Sequence, residues 1–265
     1  MTKDTVFIFD FDGTIADTHN FIIAISNRLA GEFKYNLIQP HEVEDLKNKT
    51  SQEVIRHLKV PILKIPAILT KAKKELHLSI DTIQPIAGLK DILRQLDKAG
   101  VRMGILSSNS EENIRTFLEN HGLEIFEFVD STVKVWKKNT SLKKLLIKHG
   151  FEVEQILYIG DETRDIQAAR RLGIKVAAVT WGYNSKKTLA AHKPDFLIHT
   201  PKELLELCTI RLAPASAKKS SRFARIKARI RRIIPNAKMA FSRRRSQLSR
   251  LTKKRQPPTA RSKSI

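Results

Sequence analysis

The sequence contains one cysteine, Cys208, and no Cys-x-x-Cys pair. A single thiol cannot close an intramolecular disulfide, so disulfide-stabilised scaffolds and cysteine-based zinc sites are excluded. No apolar run approaches the roughly 18 residues that a membrane-spanning helix needs. The first residues, MTKDTVFIFDFDG, reach acidic side chains too early for a signal peptide. We therefore expect a cytoplasmic protein in a reducing environment.

Acidic residues are absent from the last part of the chain. Residues 207–265 contain 19 Lys and Arg residues and no Asp or Glu. The whole chain has 49 basic and 27 acidic residues, so residues 1–206 keep 30 basic and 27 acidic ones, a net charge of +3. The formal charge of +22 therefore belongs almost entirely to a basic tail, and the body is an ordinary, nearly neutral domain.

Within the body, continuous apolar runs alternate with amphipathic helical stretches. Runs such as VFIF at 6–9 and ILYIG at 156–160 are typical of strands that are buried on both faces. Helical stretches such as LKDILRQLDKAG at 89–100 end in glycine. This alternation predicts an α/β fold with a mostly parallel sheet that helices cover on both faces. The other predicted strands are 101–106, 126–130 and 176–181, and the other predicted helices are 111–122, 140–150 and 165–173.

The segment 16–85 breaks the alternation. It has no second buried-strand run, and its helical patterns lie at 21–33, 51–59 and 62–78. We interpret it as a helical insertion between the first strand and the next helix. The predicted organisation is therefore a core of 1–15 and 86–206, the insertion 16–85 and the tail 207–265.

The strongest motif is FDFDGT, which directly follows the first predicted strand. Asp10 and Asp12 are two residues apart, so both carboxylates can face the same side of an extended segment, and Gly13 lets the backbone turn. Active sites of α/β proteins lie at the carboxyl ends of parallel strands. Two adjacent carboxylates repel unless one is protonated or a cation such as Mg²⁺ lies between them. A strand that ends in a plain Asp-Gly turn is the structural alternative.

Three later strand ends carry polar groups that suit a phosphate. They are Ser107, Ser108 and Asn109 in GILSSNS, then Lys134, Lys137 and Lys138 in KVWKKN, and finally Asp161 and Asp165 in GDETRD. Taken singly, helix caps, solvated lysines and turns explain such residues. Four such ends in one alternating domain favour a shared site.

In this order, DFDGT, SSN, a lysine and GDETRD resemble the four motifs of the haloacid dehalogenase-like (HAD) hydrolases. The resemblance covers roughly residues 1–206 and is closest to the phosphoglycolate-phosphatase-like branch. In that branch a helical cap is inserted after the first motif, and QPIAGLKDIL at 84–93 resembles the return to the core. The resemblance therefore implies a Rossmann-like HAD core with 16–85 as its cap.

The resemblance also implies a role for each matching residue. Asp10 would attack phosphorus and form an aspartyl phosphate, and Asp12 would protonate the leaving oxygen and then activate water. The phosphate would be held by Ser108, Asn109 and Lys138, with Lys137 as the rival for the lysine. Mg²⁺ would be held by Asp10, Asp12 and Asp161, with Asp165 as a supporting residue.

These expectations describe a Mg²⁺-dependent phosphatase of a small phosphorylated metabolite such as phosphoglycolate. The acid at Asp12 argues against halide chemistry, because dehalogenating relatives lack it. A phosphomutase with the same core motifs stays open, and so does a binding protein that uses the tail and keeps an idle core. A carbon–phosphorus hydrolase would need a cap lysine placed for imine formation, and nothing in the sequence marks one.

Two further regions carry weaker expectations. In the cap, Asn48, Lys49, Thr50 and Arg56 resemble a substrate loop, and a capped surface helix beginning at Ser51 explains them equally well. In the tail, apolar residues at helical spacing between basic ones predict an amphipathic helix, namely Phe223, Ile226, Ile230, Ile233 and Ile234. An anionic membrane surface is the favoured partner, ahead of nucleic acid, since few aromatics are available for base stacking. A solvated tail without a partner is the remaining alternative.

Overall fold

The centre of the fold is a six-stranded sheet in the order β3-β2-β1-β4-β5-β6. The computed structural model describes residues 5–132 and 138–208. The strands are β1 Val6–Phe9, β2 Arg102–Ser107, β3 Phe128–Ser131, β4 Ile156–Gly160, β5 Lys175–Val179 and β6 Phe196–Ile198. All pairings between these strands are parallel, and the order is that of a Rossmann-like sheet. The predicted α/β fold with a mostly parallel sheet is confirmed.

Strand β1 lies in the middle of the sheet, between β2 and β4. Its four residues are fully buried, as a continuous apolar run predicts for a central strand. Strand β6 was not predicted from the sequence. It is three residues long, lies at the sheet edge, and its Phe196 and Leu197 are only half-buried, so its local pattern is too short to distinguish a strand.

Helices connect the strands of the sheet. Those after the insertion are α5 Leu89–Lys98, α6 Glu111–Asn120, α7 Lys138–His149, α8 Thr163–Leu172, α9 Lys186–Ala191 and α10 Glu203–Leu207. The four apolar residues of α5 are buried along one stripe, as their spacing predicts. Helix α8 ends at Gly173, whose φ of 78° provides the left-handed cap.

The segment between β1 and α5 is helical. It contains α1 His19–Phe33, α2 Val43–Leu46, α3 Ser51–His57 and α4 Ile65–His77, with short 3₁₀ turns at Pro40–Glu42 and Ile62–Lys64. Helices α1 and α4 pack against each other. The backbone N–H of Asp17 donates to the carbonyl of Gln84 at 2.9 Å, and that of Ile86 donates to Ile15 at 2.9 Å. The chain therefore leaves and re-enters the core at one place.

Some predictions lie outside the described residues. These are Lys134, Lys137 and the tail beyond Cys208, including the amphipathic helix predicted at 223–234. Within residues 5–132 and 138–208, no helix is both long enough and apolar enough to cross a bilayer.

Candidate active site

The acidic residues of the motifs meet at the carboxyl ends of neighbouring strands. Asp10 follows β1 directly, and Asp161 follows β4, which pairs with β1. Asp165 lies in the first turn of α8. One carboxylate oxygen from each of these residues lies within 4.8 Å of the other two, and all three residues are buried. The structure therefore brings together three of the four aspartates that the sequence singles out.

Lys138, the first residue of α7, lies against this cluster. Its ammonium pairs with the carboxylates of both Asp10 and Asp165, and the residue is only 7% exposed. Burial lowers the pKa of Lys138, but attraction to Asp10 and Asp165 outweighs burial and raises that pKa well above its usual value. Lys138 is therefore a permanent cation of the site. Its rival from the sequence, Lys137, lies outside the described residues.

Asp161 is oriented by two hydrogen bonds. The hydroxyl of Thr14 donates to its Oδ1 at 2.6 Å, and the backbone N–H of Tyr183 donates to its Oδ2 at 2.7 Å. Glycines leave room for this carboxylate: a Cβ at Gly182 would lie 2.2 Å from Oδ2, and one at Gly13 would lie 2.5 Å from it. Gly13 also has a φ of 73°, which favours glycine. The turn after the first motif and the loop after β5 thus hold Asp161 from both sides.

The acidic cluster has less positive charge than negative. Within the described ranges, Lys138 is the one cation that pairs directly with Asp10, Asp161 or Asp165. Burial first, and then repulsion from Glu162, Asp10 and Asp165, raises the pKa of Asp161 well above its usual value. The Oδ1 atom of Asp165 is buried, and although it contacts Lys138, it makes no hydrogen bond to any described residue.

These features fit a divalent metal ion. Buried carboxylate oxygens that lack counter-charge are the donors that Mg²⁺ prefers. The family resemblance implies Asp10, Asp12 and Asp161 as metal ligands, whereas the carboxylates that cluster are those of Asp10, Asp161 and Asp165. The Asp12 carboxylate is outside that cluster.

Asp12 instead contacts the end of the neighbouring strand. The side-chain amide of Asn109 donates to Oδ1 of Asp12 at 3.1 Å. Burial, followed by repulsion from Asp10, raises the pKa of Asp12 to about 7, and hydrogen bonds from Asn109 and Thr18 oppose this rise. A carboxylic acid with this pKa can both donate and accept a proton near neutral pH.

The Ser-Ser-Asn motif follows β2. The hydroxyl of Ser107 is buried and accepts a 3.0 Å hydrogen bond from the backbone N–H of Asn109. Ser108 is half-buried, and its hydroxyl has no hydrogen-bond partner among the described residues. Ser110 begins α6, where its hydroxyl accepts from the N–H of Asn113. Ser107 and Ser110 are thus used structurally, and Ser108 keeps a hydroxyl that an anion can use.

Sequence reasoning missed the loop after β5, TWGYNS at 180–185. Besides the contacts of Gly182 and Tyr183 with Asp161, the Oδ1 atom of Asn184 accepts from the N–H of Thr163 at 2.9 Å. The signal was available, because Gly-Tyr-Asn directly follows a predicted strand at 176–181 and lies at the same edge of the sheet as the other motifs.

The helical segment contacts the core beside the site. Asn184 donates to the backbone carbonyls of Lys47 and Lys49 at 3.2 and 2.9 Å, and the hydroxyl of Ser51 donates to Glu162 at 2.7 Å. A cavity of about 140 Å³ lies here, lined among others by Thr50, Ser51, Lys138 and Arg164.

The four cap residues predicted to face the substrate have different environments in the structure. They are Asn48, Lys49, Thr50 and Arg56. Asn48 accepts a hydrogen bond from Ser185, and Lys49 contributes its carbonyl to Asn184. Thr50 caps α3 through its hydroxyl and also lines the cavity. Arg56 is exposed. Helix α3 begins at Ser51, as predicted by the alternative interpretation of a capped surface helix.

A parallel sheet with buried, clustered carboxylates at the carboxyl ends of its strands is the architecture of an α/β enzyme. Residues 7–179 match the family model of the haloacid dehalogenase-like hydrolases. The chain belongs to this family, and the prediction that it is a hydrolase of the family is confirmed.

Relatives within the family agree with this assignment. A phosphoglycolate phosphatase of Synechococcus elongatus is 36% identical over 203 residues, which is 76% of this chain and 96% of the relative. Pyrophosphatase PpaX of Bacillus cereus is 25% identical over 210 residues, which is 77% of this chain and 96% of the relative. The solved structure of a haloacid dehalogenase-like hydrolase from Streptococcus pneumoniae matches 79% of this chain and 100% of its own, with a TM-score of 0.63 and 22% identity. That likeness shows the fold alone.

Proposed function

We propose that the protein is a Mg²⁺-dependent phosphatase that hydrolyses a small phosphomonoester through an aspartyl phosphate on Asp10. The observation that carries this proposal is the pairing of a buried carboxylate at Asp10 with Lys138, beside a second carboxylic acid, Asp12, whose pKa is about 7. Phosphatases among the relatives in the same family support the reaction class.

Two contacts hold the carboxylate of Asp10, the proposed nucleophile. Its Oδ1 accepts a 2.8 Å hydrogen bond from the backbone N–H of Phe11, and its Oδ2 is paired with Lys138. Lys138, the hydroxyl of Ser108 and the amide of Asn109 would offset the negative charge of the phosphate as it approaches. Mg²⁺ held by Asp10 and Asp161 would supply further positive charge at the phosphate.

Asp12 would transfer the protons. In the first step the bond between Asp10 and phosphorus forms, the bond to the leaving oxygen breaks, and protonated Asp12 gives its proton to that oxygen. In the second step ionised Asp12 takes a proton from the water that attacks phosphorus, and the bond to Asp10 breaks. A pKa of about 7 allows one residue to serve in both steps at neutral pH.

The helical segment would act as the cap that excludes water from the site. Its ends meet through hydrogen bonds between Asp17 and Gln84 and between Ile86 and Ile15, which supports the proposed boundaries 16–85 and a core of 1–15 and 86–206. Its contacts with Asn184 and Glu162 lie beside the catalytic cluster.

For the substrate, we propose a phosphoglycolate-like phosphomonoester. A phosphate-release screen of the full chain tests the function, with many phosphomonoesters and pyrophosphate, each with and without Mg²⁺. We expect Mg²⁺-dependent release from at least one small ester. Accumulation of an isomer without free phosphate would favour the phosphomutase alternative, and no turnover of any compound would overturn the proposal.

The role of the tail, 207–265, stays a separate prediction. We propose that it binds an anionic membrane surface, since its apolar positions alternate with basic ones at helical spacing. Co-sedimentation of the full chain with anionic and neutral vesicles tests this, beside a salt-dependent RNA titration. Binding to RNA and to neither vesicle would overturn it.

A further inference from the structure

Lys73 lies on the face of α4 that is directed at the site. Its backbone carbonyl accepts a 3.1 Å hydrogen bond from the side chain of Asn113. One helical turn later, the ring of His77 hydrogen-bonds to the same asparagine at 2.7 Å. Positions i and i+4 share a helix face, and Asn113 is only 1% exposed. This face of α4 is therefore packed on the start of α6.

A chain of hydrogen bonds joins this contact to the proposed acid–base residue. Asn113 also donates to Oδ1 of Asn109 at 3.0 Å, and Asn109 donates to Asp12 at 3.1 Å. The position of Lys73 in the helical segment is thus tied to Asp12 through two buried asparagines. The ammonium of Lys73 is itself attracted by Asp12, the group proposed to protonate the leaving oxygen, so we place Lys73 on the leaving-group side of the site.

The charge of Lys73 is not used within the described structure. Two other partly buried lysines of the helical segment are paired, Lys71 with Glu32 and Lys47 with Glu44. Lys73 is half-buried, and among residues 5–132 and 138–208 no carboxylate lies within 4.0 Å of its ammonium. Burial lowers its pKa, and attraction to Asp12 opposes this. The ammonium of Lys73 can therefore pair with an anionic ligand without first breaking an ion pair to another described residue.

We propose that Lys73 is a specificity residue that binds a negatively charged leaving group, either the carboxylate of a phosphorylated hydroxy acid or the second phosphate of pyrophosphate. The proposal rests on the proposed function, because it assigns the part of the substrate that departs with the proton from Asp12. An uncharged alcohol as leaving group would leave Lys73 unpaired, so esters of neutral alcohols are poor substrates.

The test compares three substrates with the full chain and Mg²⁺. 2-Phosphoglycolate and pyrophosphate have anionic leaving groups, and ethyl phosphate has a neutral leaving group of similar size. The variants are Lys73→Met, which removes the charge, and Lys73→Arg, which keeps it. Lys74→Met is the matched control, because Lys74 is the next residue and is exposed. Thermal unfolding confirms that each variant is folded.

We expect Lys73→Met to lower kcat/KM for the better anionic substrate by about 30-fold or more, mostly through KM, because one partner of a desolvated charge pair is lost. For ethyl phosphate the loss is less than about threefold, since that substrate makes no such pair. Lys73→Arg retains most of the activity, and Lys74→Met behaves as the parent. If Lys73→Met lowers kcat/KM more for 2-phosphoglycolate, the anion that Lys73 binds is a carboxylate. If the larger loss is for pyrophosphate, the anion is a phosphate.

The outcomes separate the two proposals. If the parent protein releases no phosphate from any substrate with Mg²⁺, the proposed function fails and this inference fails with it. If the parent is active but Lys73→Met lowers kcat/KM equally for anionic and neutral substrates, only the inference is overturned. Complete loss in Lys73→Arg would also overturn it, because a role as a charge does not require a primary amine.

Discussion

The side-chain amide of Asn109 donates a 3.1 Å hydrogen bond to the carboxylate of Asp12. The residues come from the ends of β2 and β1, which pair in parallel register. Because this hydrogen bond favours the ionised carboxylate, it opposes the burial and the repulsion from Asp10 that raise the pKa of Asp12 to about 7. Asn109 therefore adjusts the protonation of the residue that would move the protons.

The first prediction concerns pH. Asp12 must be protonated to assist the leaving group, so kcat/KM falls as the pH rises above about 7. Asn109→Ala removes a hydrogen bond that lowers the pKa of Asp12, so this pKa rises further. The decrease of kcat/KM with pH then begins at a higher pH. The control is Asn120→Ala, whose side chain contacts the exposed Asp81. If kcat/KM of Asn109→Ala decreases over the same pH range as that of the parent, this account of Asp12 is contradicted.

The second prediction concerns the nucleophile. Asp10→Asn removes the anionic oxygen that would attack phosphorus, so phosphate release falls by about 10³-fold or more. Asp97→Asn, on the exposed side of α5, serves as the control and keeps full activity. Substantial Mg²⁺-dependent turnover by Asp10→Asn would remove Asp10 from the mechanism.

The third prediction concerns stability without metal. The pKa values of Asp12 and Asp165 are raised to about 7 and about 6, above 3.8, their usual value. Between pH 3.8 and about 7 the folded protein therefore binds more protons than the unfolded chain. Its free energy of unfolding falls as the pH rises from 5 to 8, and most of that fall comes before pH 7. The loss is at most about 1.4 kcal/mol for each unit of pKa difference.

Denaturant unfolding in a chelating buffer measures this loss. Asp12→Asn should flatten the pH dependence, because the amide does not titrate. Mg²⁺ should restore stability at pH 8, where the ionised cluster needs a cation. If Asp12→Asn shows the same fall between pH 5 and 8 as the parent, the buried acid is not its source.

The fourth prediction uses two glycines. In Gly182→Ala the new Cβ would lie 2.2 Å from Oδ2 of Asp161, so the carboxylate must move and the Mg²⁺ concentration for half-maximal activity rises about tenfold or more. Gly31→Ala is the matched control, since nothing lies within 4 Å of its new Cβ and alanine favours helix α1 by about 1 kcal/mol. Unchanged Mg²⁺ activation in Gly182→Ala would contradict the role of Asp161.

Much of the sheet could be predicted from local pattern. The runs at 6–9 and 156–160 are strands over those same residues, because a buried central strand has a continuous apolar signal. Because β1 and β4 are parallel, Asp10 and Asp161, which follow them, must lie at the same end of the sheet. The edge strand β6 was missed, since its three residues are half-buried for the most part.

The parts of the site that were missed depend on contacts between distant segments. Asn184 contacts the backbone of Lys49, and Asn113 contacts the backbone of Lys73. Asn184 at least follows a predicted strand, whereas no local periodicity distinguishes Lys73 from its neighbour Lys74. Only the packing of the helical segment on the core separates the two lysines.

The adjoining ends of the segment 16–85 have a consequence for how such a protein can change. Because Asp17 and Gln84 are hydrogen-bonded neighbours, the segment is a loop whose two ends are attached to the core at the same place. The entropic cost of closing such a loop grows only slowly with the number of residues in it. A change of length inside the segment therefore leaves its two attachment points to the core in place. Insertions within the segment should therefore cost little stability where they spare the contacts that Lys49, Ser51 and Lys73 make with the core.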